Sequence, residues 1–168
     1  MKFMIKGVEF FTLFTCCHLI KQDFINPKKT IIFYYGKKEN EIKKYIKLDI
    51  NERFIKCFEK PKDVTIIEII ESNNLPKEKY LIADLNYKNG GFNDYLNHQF
   101  YLAGYPDAEN IFIEYQNEAF TSSGQIKQVY NNYEFKHTLD TREGSSGSPI
   151  YLISNRYAIG ILKNGDSK

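Results

Sequence analysis

Several kinds of residue pattern are missing from this chain, and each absence excludes a class of protein. No apolar run approaches the ~20 residues that a membrane-spanning helix needs, so no membrane role is expected. The formal charge is only +2, with 23 basic against 21 acidic residues, and no basic stripe runs along the chain. The charge pattern of a nucleic-acid-binding protein is therefore absent. No internal repeat or low-complexity tract is present.

Cysteine is also scarce, and its three copies are Cys16, Cys17 and Cys57. An odd number with two adjacent residues does not make a disulfide framework, and the spacing is not that of a zinc site. We therefore expect buried free thiols and a reducing, cytoplasmic compartment. Secretion is the alternative, because residues 1–14 resemble a signal peptide, although Glu9 interrupts the apolar region and no small-x-small cleavage site follows.

Apolar and aromatic residues are plentiful, at 42% hydrophobic with 13 Phe and 13 Tyr, so a folded core is expected. They form short runs rich in β-branched and aromatic side chains, separated by turn-forming residues. These runs predict strands at residues 10–14, 30–35, 64–70, 100–103, 111–115, 126–130, 150–153 and 157–162. Residues 39–48 fit a helix or a strand equally. Many short strands predict an all-β barrel or sandwich. Residues 86–95 are the best candidate for the boundary between two halves of the chain.

The most informative segment is residues 144–149, with the sequence Gly-Ser-Ser-Gly-Ser-Pro. Its glycines permit a tight turn with Ser146 at the apex and close approach of a substrate carbonyl. The amides of Gly144 and Ser146 can then point at one spot and stabilise an oxyanion. A plain turn between strands is the competing interpretation. The nucleophile elbow of α/β-hydrolases is excluded, because Ser148 replaces its last glycine and no histidine follows Ser146.

A nucleophilic serine needs a base, and the chain has only His18, His98 and His137. His18 follows an apolar run and small residues, which places its imidazole at the end of a strand. Asp63 directly precedes another apolar run, where a carboxylate can fix the tautomer of a histidine. Taken singly, such a histidine is more often a core or rim residue, and such an aspartate a turn residue. Their joint occurrence, in the order His, Asp, Ser, favours a catalytic triad.

These segments resemble the motifs of trypsin-like serine proteases, which have the chymotrypsin fold. Residues 15–18, Thr-Cys-Cys-His, are similar to the family's Thr-Ala-Ala-His, and residues 63–67, Asp-Val-Thr-Ile-Ile, to its Asp-Ile-Ala-Leu-Leu. Residues 144–149 resemble Gly-Asp-Ser-Gly-Gly-Pro and, more closely, the Gly-Asn-Ser-Gly-Ser-Pro of the glutamyl endopeptidase branch. Residues 104–106 and 123–126 are similar to further landmarks of that branch.

The resemblance implies two antiparallel six-stranded Greek-key barrels, residues 1–85 and 86–168, that together form one peptidase domain. It implies a protein or peptide substrate, with Ser146 as nucleophile, His18 as general base, Asp63 as orienting acid, and no metal or organic cofactor. The family's opening strand is matched only in part, and its members continue further at the other end. Barrels that are incomplete at both termini are therefore expected. A catalytically weak or inactive protease-like binding domain is the alternative function.

For the substrate pocket, the resemblance points to Asp140, Thr141, Leu162, Lys163 and Asn164. Leu162 replaces the histidine with which glutamyl endopeptidases bind a substrate carboxylate, so strict glutamate preference is not expected. Asp140 takes the position of the specificity aspartate of trypsin, which favours lysine or arginine in the substrate. A buried or turn-bonded acid is the competing interpretation of Asp140.

Overall fold

The fold is described from a computed structural model, for residues 1–21, 25, 30–35, 44–49, 53–70, 73, 75–77, 80–86, 91–104 and 120–163. Within these ranges the regular structure is eleven β-strands and one short 3-10 helix, with no α-helix. The predicted all-β class is therefore confirmed. The chain divides into two compact units, Met1–Tyr80 and Leu81–Lys168. No helix in the described ranges is both long and apolar enough to cross a membrane.

The first unit contains six strands in two antiparallel sheets. They are β1 (Lys2–Ile5), β2 (Val8–Thr15), β3 (Thr30–Tyr35), β4 (Lys44–Asp49), β5 (Ile55–Phe58) and β6 (Val64–Glu68). One sheet has the order β1-β2-β6-β5, and β3 pairs with β4 in the other. Strand β6 has the alternation of a half-buried strand, because Thr65 and Ile67 are fully buried while their neighbours are partly exposed. Ile67 packs with Ile46, Leu48 and Ile69 to form the core of this unit.

The second unit contains one five-stranded antiparallel sheet with the order β11-β10-β7-β8-β9. Its elements are the 3-10 helix (Gly91–Tyr95), β7 (Gln99–Gly104), β8 (Phe120–Asn131), β9 (Glu134–His137), β10 (Pro149–Leu152) and β11 (Ala158–Ile161). Phe100 and Leu102 of β7 alternate with exposed residues and face the core. They pack there with Ile126, Ile150 and Leu152 from the adjoining strands.

Most of the predicted strands coincide with observed ones, and residues 111–115 lie outside the described ranges. The ambiguous segment 39–48 is a strand over the part that is described, since β4 begins at Lys44. Strands β1, β5 and β9 were not predicted. Each has only four residues and includes a lysine, so no apolar run marks it, whereas the equally short β10 and β11 lie in such runs. The two Greek-key barrels stay a prediction.

Candidate active site

His18 lies on a tight turn that follows the last residue of β2. The amides of Leu19 and Ile20 both donate to the carbonyl of Cys16, at 3.1 and 3.2 Å, which closes the turn. The hydroxyl of Thr65, which is fully buried in β6, donates to the carbonyl of Ile20 at 2.8 Å. The side chain of His18 keeps 36% of its surface exposed. The turn therefore presents the imidazole to solvent from a backbone that is anchored to the sheet.

Asp63 holds both the backbone and the ring of His18. Its Oδ1 accepts a hydrogen bond from the His18 amide at 2.9 Å, and its Oδ2 lies 2.7 Å from His18 Nδ1. Because an ionised carboxylate can only accept, Nδ1 carries the ring proton and Nε2 is left as an acceptor. Asp63 is only 3% exposed, so little water competes for these bonds. The pair has the arrangement of a histidine whose tautomer is set by an acid.

The backbone of Asp63 adopts a conformation that few residues other than glycine take. Its φ is 52°, in the left-handed region that aspartate tolerates better than most. The Asp63 amide donates to the carbonyl of Glu59 at 3.2 Å, and its carbonyl accepts from the amide of Cys17 at 3.2 Å. These bonds hold the backbone conformation at the residue that contacts His18. Such strained residues concentrate at functional sites, where the surrounding structure maintains them.

The expectation of three free thiols is wrong, because Cys17 and Cys57 form a disulfide with their Cα atoms 5.8 Å apart. Thr15 of β2 and Cys57 of β5 both pair with Thr65 of the strand between them. The turn after Thr15 therefore brings Cys17 back to a cysteine 40 residues away in sequence, a proximity that spacing alone does not reveal. Cys16 is buried and lies outside the disulfide. Cysteine usage thus no longer supports a reducing compartment.

Ser146 lies in a loop that leads into β10 and is positioned by backbone contacts. The amide of Gly147 donates to the carbonyl of Leu162 at 2.7 Å. The φ angles of Gly144 and Gly147 are 81° and 83°, in the left-handed region that favours glycine. The path of this loop therefore requires glycine at both positions. The sequence pattern that predicted a tight turn around Ser146 has a direct backbone cause.

The amides of Gly144 and Ser146 are the ones predicted to stabilise an oxyanion. Within the described part of the chain neither has an acceptor, whereas the amides of the residues that follow each of them, Ser145 and Gly147, donate to backbone carbonyls at 3.1 and 2.7 Å. The Ser146 hydroxyl donates to the carbonyl of Lys163 at 3.4 Å, beyond the ordinary range of about 2.5–3.0 Å for such bonds. The loop thus offers two unused donors and a weakly held hydroxyl.

The loop also packs closely against the end of β7. A Cβ atom on Gly104 would lie 2.0 Å from the hydroxyl of Ser148, which is 8% exposed. Only glycine at this point of β7 permits the observed approach. The neighbouring Ser145 is fully buried, and its hydroxyl has no hydrogen-bond partner among the described residues. Packing against β7, as well as backbone hydrogen bonding, therefore fixes the position of Ser146.

The residues predicted to line a substrate pocket have contrasting surroundings. Asp140 is exposed, and its amide donates to the hydroxyl of Ser122 at 2.7 Å, while Thr141 is half-buried. Leu162 is only 2% exposed and belongs to the core of the second unit. Asn164 lies outside the described residues. The role of these residues in substrate binding stays a prediction.

Lys163 has a contact that the sequence did not reveal. Its Nζ lies 2.6 Å from Oε1 of Glu134, and Asn131 donates to Oε2 of the same carboxylate at 2.9 Å. The hydrogen bond from Lys163, followed by that from Asn131, lowers the pKa of Glu134 from its usual value. Because the carbonyl of Lys163 accepts the Ser146 hydroxyl, the ion pair anchors a residue in direct contact with the serine. No local pattern marks a pair 29 residues apart in sequence.

Among the residues that the structure describes, one group of side chains could hold a metal ion. Ligand atoms of Cys16, His18 and Asp63 all lie within 4.8 Å of one another. Cys16 and Asp63 are buried and His18 is exposed. The group overlaps the hydrogen-bonded pair that makes His18 a candidate base.

Comparison with known proteins adds no assignment: no protein-family model matches the chain, and no curated protein matches it. The geometry described above therefore carries the functional interpretation.

Proposed function

We propose that this chain is a serine endopeptidase, with His18 as general base, Asp63 as the acid that orients it and Ser146 as nucleophile. The observation that carries the proposal is the pair of hydrogen bonds from His18 to Asp63, at 2.9 Å from the amide and 2.7 Å from the ring. In the neutral ring, a buried carboxylate that accepts from Nδ1 leaves Nε2 as the nitrogen without a proton. An imidazole in that state can accept a proton from a hydroxyl.

The loop around Ser146 supplies the second line of support. Among the described residues its hydroxyl makes one long hydrogen bond, to the carbonyl of Lys163 at 3.4 Å, so little of this bonding is lost when the serine turns toward a substrate. The amides of Gly144 and Ser146 have no acceptor in the described residues. Ser146 is half-buried and Gly144 is exposed. Donors held ready for developing charge are a large source of rate enhancement.

In the proposed reaction, Ser146 Oγ attacks the carbonyl carbon of the substrate while its proton passes to Nε2 of His18. The amides of Gly144 and Ser146 stabilise the negative charge on the carbonyl oxygen. His18 then gives its proton to the leaving amine, and an acyl-enzyme remains. Water, deprotonated by His18, hydrolyses the acyl-enzyme. Asp63 stays ionised throughout and stabilises the imidazolium.

The surroundings of the predicted pocket residues also bear on specificity. Asp140 offers an exposed carboxylate, and a carboxylate favours a lysine or arginine side chain in the substrate. Lys163 is paired with Glu134, and Leu162 lies in the core. Neither therefore offers a free charge for an acidic side chain. We infer a protein or peptide substrate that is cleaved after basic residues rather than after glutamate.

A fluorophosphonate probe tests the proposal most directly. The purified chain is treated with the probe and then mapped by mass spectrometry of its peptides. We expect the phosphorus to be bonded to Ser146 Oγ, with loss of fluoride, and expect the adduct to be absent from His18→Ala. An exposed histidine outside the site provides the matched control, since His98→Ala should label as the wild type does.

Two results would count against the proposal. Labelling of Ser146 at an undiminished rate in His18→Ala would show that no histidine base activates the serine. Absence of any adduct on wild-type protein that is folded by circular dichroism would favour a protease-like binding domain without catalysis.

A further inference from the structure

Cys16 has no part in the proposed reaction, yet it lies beside the two residues that supply the base. Its Sγ, a ring nitrogen of His18 and a carboxylate oxygen of Asp63 all lie within 4.8 Å of one another. Two of these residues are almost completely buried, at 0% exposure for Cys16 and 3% for Asp63. A buried thiol thus lies beside the hydrogen-bonded pair that the proposed reaction uses.

The three side chains match the ligand preferences of zinc. Zinc binds thiolate sulfur, imidazole nitrogen and carboxylate oxygen, whereas calcium and magnesium take oxygen ligands. Zinc bonds of about 2.0 to 2.3 Å place tetrahedral ligand atoms roughly 3.3 to 3.5 Å apart. Separations within 4.8 Å therefore need to contract by about 1.5 Å at most, and the 2.7 Å between His18 Nδ1 and Asp63 Oδ2 has to widen. His18 is the exposed member of the group, so an ion can reach the site and keep one open coordination position.

The turn that carries two of the ligands is already rigid. Cys17, between Cys16 and His18, is tied to β5 by the disulfide with Cys57, and both oxygens of Asp63 contact His18. The disulfide also uses two of the chain's three cysteines. Cys16 is the cysteine that lies outside this disulfide. Preorganised ligands lose little conformational entropy on binding.

We propose that Cys16, His18 and Asp63 bind a single zinc ion, and that bound zinc switches the site off reversibly. Because the Asp63 carboxylate faces Nδ1 of His18, an ion shared by the three residues binds at Nδ1. Zinc would then take the Nδ1 lone pair, the proton of the neutral ring would lie on Nε2, and the Cys16 thiol would release its proton to solvent. Nε2 could no longer accept the proton of the serine, and Asp63 would change from orienting acid to metal ligand. Zinc binding itself stands on the geometry alone, whereas the inhibitory effect rests on the proposed function.

Cobalt(II), which replaces zinc with the same types of ligand, tests the binding site in the wild-type protein. The protein is purified without reductant, and peptide mapping verifies the disulfide, because free Cys17 or Cys57 would bind cobalt themselves. We expect one equivalent of cobalt to produce a thiolate-to-metal charge-transfer band in the near ultraviolet. Added zinc should abolish the band and added magnesium should not. Absence of the band from folded, oxidised protein would overturn the proposal.

Two variants separate this site from adventitious binding. In Cys16→Ser the band should disappear, and the zinc dissociation constant, measured by competition with a chromophoric chelator, should rise at least about 100-fold. His98→Ala, which removes an exposed histidine elsewhere, should bind as the wild type does. Equal zinc affinity in the wild type and Cys16→Ser would mean that the ion binds at another place. The wild-type cobalt spectrum decides the question even if Cys16→Ser does not fold.

Ser146→Ala separates the two proposals from each other. It keeps all three ligands, so it should bind zinc with wild-type affinity although it has no nucleophile. In the wild type, zinc should slow fluorophosphonate labelling, and a chelator should restore the rate. If zinc binds but no protein form is ever labelled, the metal site stands and the peptidase proposal fails. If labelling proceeds and zinc neither binds nor slows it, the zinc proposal alone fails.

Discussion

The turn at His18 and the loop at Ser146 are held in place by different means. At His18 the contacts are long-range: a carboxylate 45 residues away, a threonine of β6 and a neighbouring disulfide. At Ser146 the conformation comes mainly from two glycines with positive φ and from backbone hydrogen bonds. Substitutions in the first region should therefore act through lost side-chain partners. Substitutions in the second should act through backbone strain and close packing.

The largest expected effect is that of Asp63→Asn, which removes the charge at the centre of the first region. Asparagine can present an NH₂ group to Nδ1, which favours the wrong ring tautomer. If the proposed function holds, the rate of fluorophosphonate labelling at Ser146 should fall about 10⁴-fold. Asp94→Asn, an exposed acid on the 3-10 helix, is the matched control and should label normally. A rate within tenfold of wild type in folded Asp63→Asn would remove Asp63 from the proposed triad.

Removal of the disulfide should have the next largest effect. The bond closes a loop of 40 residues, and the chain-entropy relation gives about 4 kcal/mol of stabilisation for that length. We expect Cys17→Ser/Cys57→Ser to lose roughly this free energy of unfolding in urea titrations. Hydrogen exchange should show the loss in β2 and β5 before it reaches β7 and β8.

The wild type under reducing conditions serves as the control for this variant. Reductant should destabilise the wild type by a similar amount and leave the double variant unchanged. If oxidised and reduced wild type unfold at the same urea concentration, the disulfide does not stabilise the first unit.

Gly104→Ala tests the close packing of the second region. Its Cβ would lie 2.0 Å from Ser148 Oγ and 3.0 Å from Ser148 Cβ, so the loop or the strand must move. Overpacking of this kind costs about 1–3 kcal/mol in the free energy of unfolding. Part of the loss should be recovered in the Ser148→Ala background, where the clashing hydroxyl is gone.

A second strand glycine provides the matched control for Gly104. The Cβ of Gly160→Ala would lie 3.6 Å from Phe135, an ordinary van der Waals separation, so its stability should change by less than about 0.5 kcal/mol. Equal losses for the two alanine variants in urea unfolding would show that the contact with Ser148 is not the limiting one.

The smallest expected effect is that of Glu134→Gln, and it depends on pH. The hydrogen bond from Lys163 lowers the pKa of Glu134 below its ordinary value of 4.5 in the folded chain. The ionised carboxylate therefore stabilises the fold above pH 4.5, and this stabilisation is lost as the pH falls through the lowered pKa. At neutral pH the variant should be less stable by up to about 1 kcal/mol, as is usual for partly exposed pairs.

Urea titrations at neutral pH and at about pH 3 check this dependence, since protonation removes the charge of wild-type Glu134. The difference between the two proteins should shrink at the lower pH, and high salt should reduce it at neutral pH. A difference that grows toward acidic pH would contradict the assigned direction of the pKa shift.

Local patterns predicted the elements well where a run was long enough. The runs around β2, β3, β6 and β7 carry alternating or continuous apolar residues, and strands lie there. Strands β1, β5 and β9 each include a lysine among four residues, and they were missed because no apolar run marks them. The turn around Ser146 was also recognisable in advance, because positive φ at Gly144 and Gly147 is a property of single residues.

The pairing of cysteines shows where prediction from spacing fails. Counting suggested free thiols, yet Cys17 and Cys57 are joined because β2 and β5 both flank β6. Strand order in a sheet depends on which strand faces pack into the same core. The spacing of cysteines in the sequence carries no information about that order. The contact between Glu134 and Lys163 could not be predicted for the same reason. Glu134 lies in β9, and Lys163 is the last residue of the last described segment.

By itself, the sequence determined the all-β class, most strand positions and the glycine-dependent turn at Ser146, since each follows from residues that are close in the chain. Only the tertiary structure decided that Asp63 bonds His18 twice, that Cys17 pairs with Cys57, and that Cys16 lies within reach of both. The physical reason is distance along the chain. Local conformation reflects backbone and side-chain preferences, whereas contacts across 40 or more residues exist only once strands have paired.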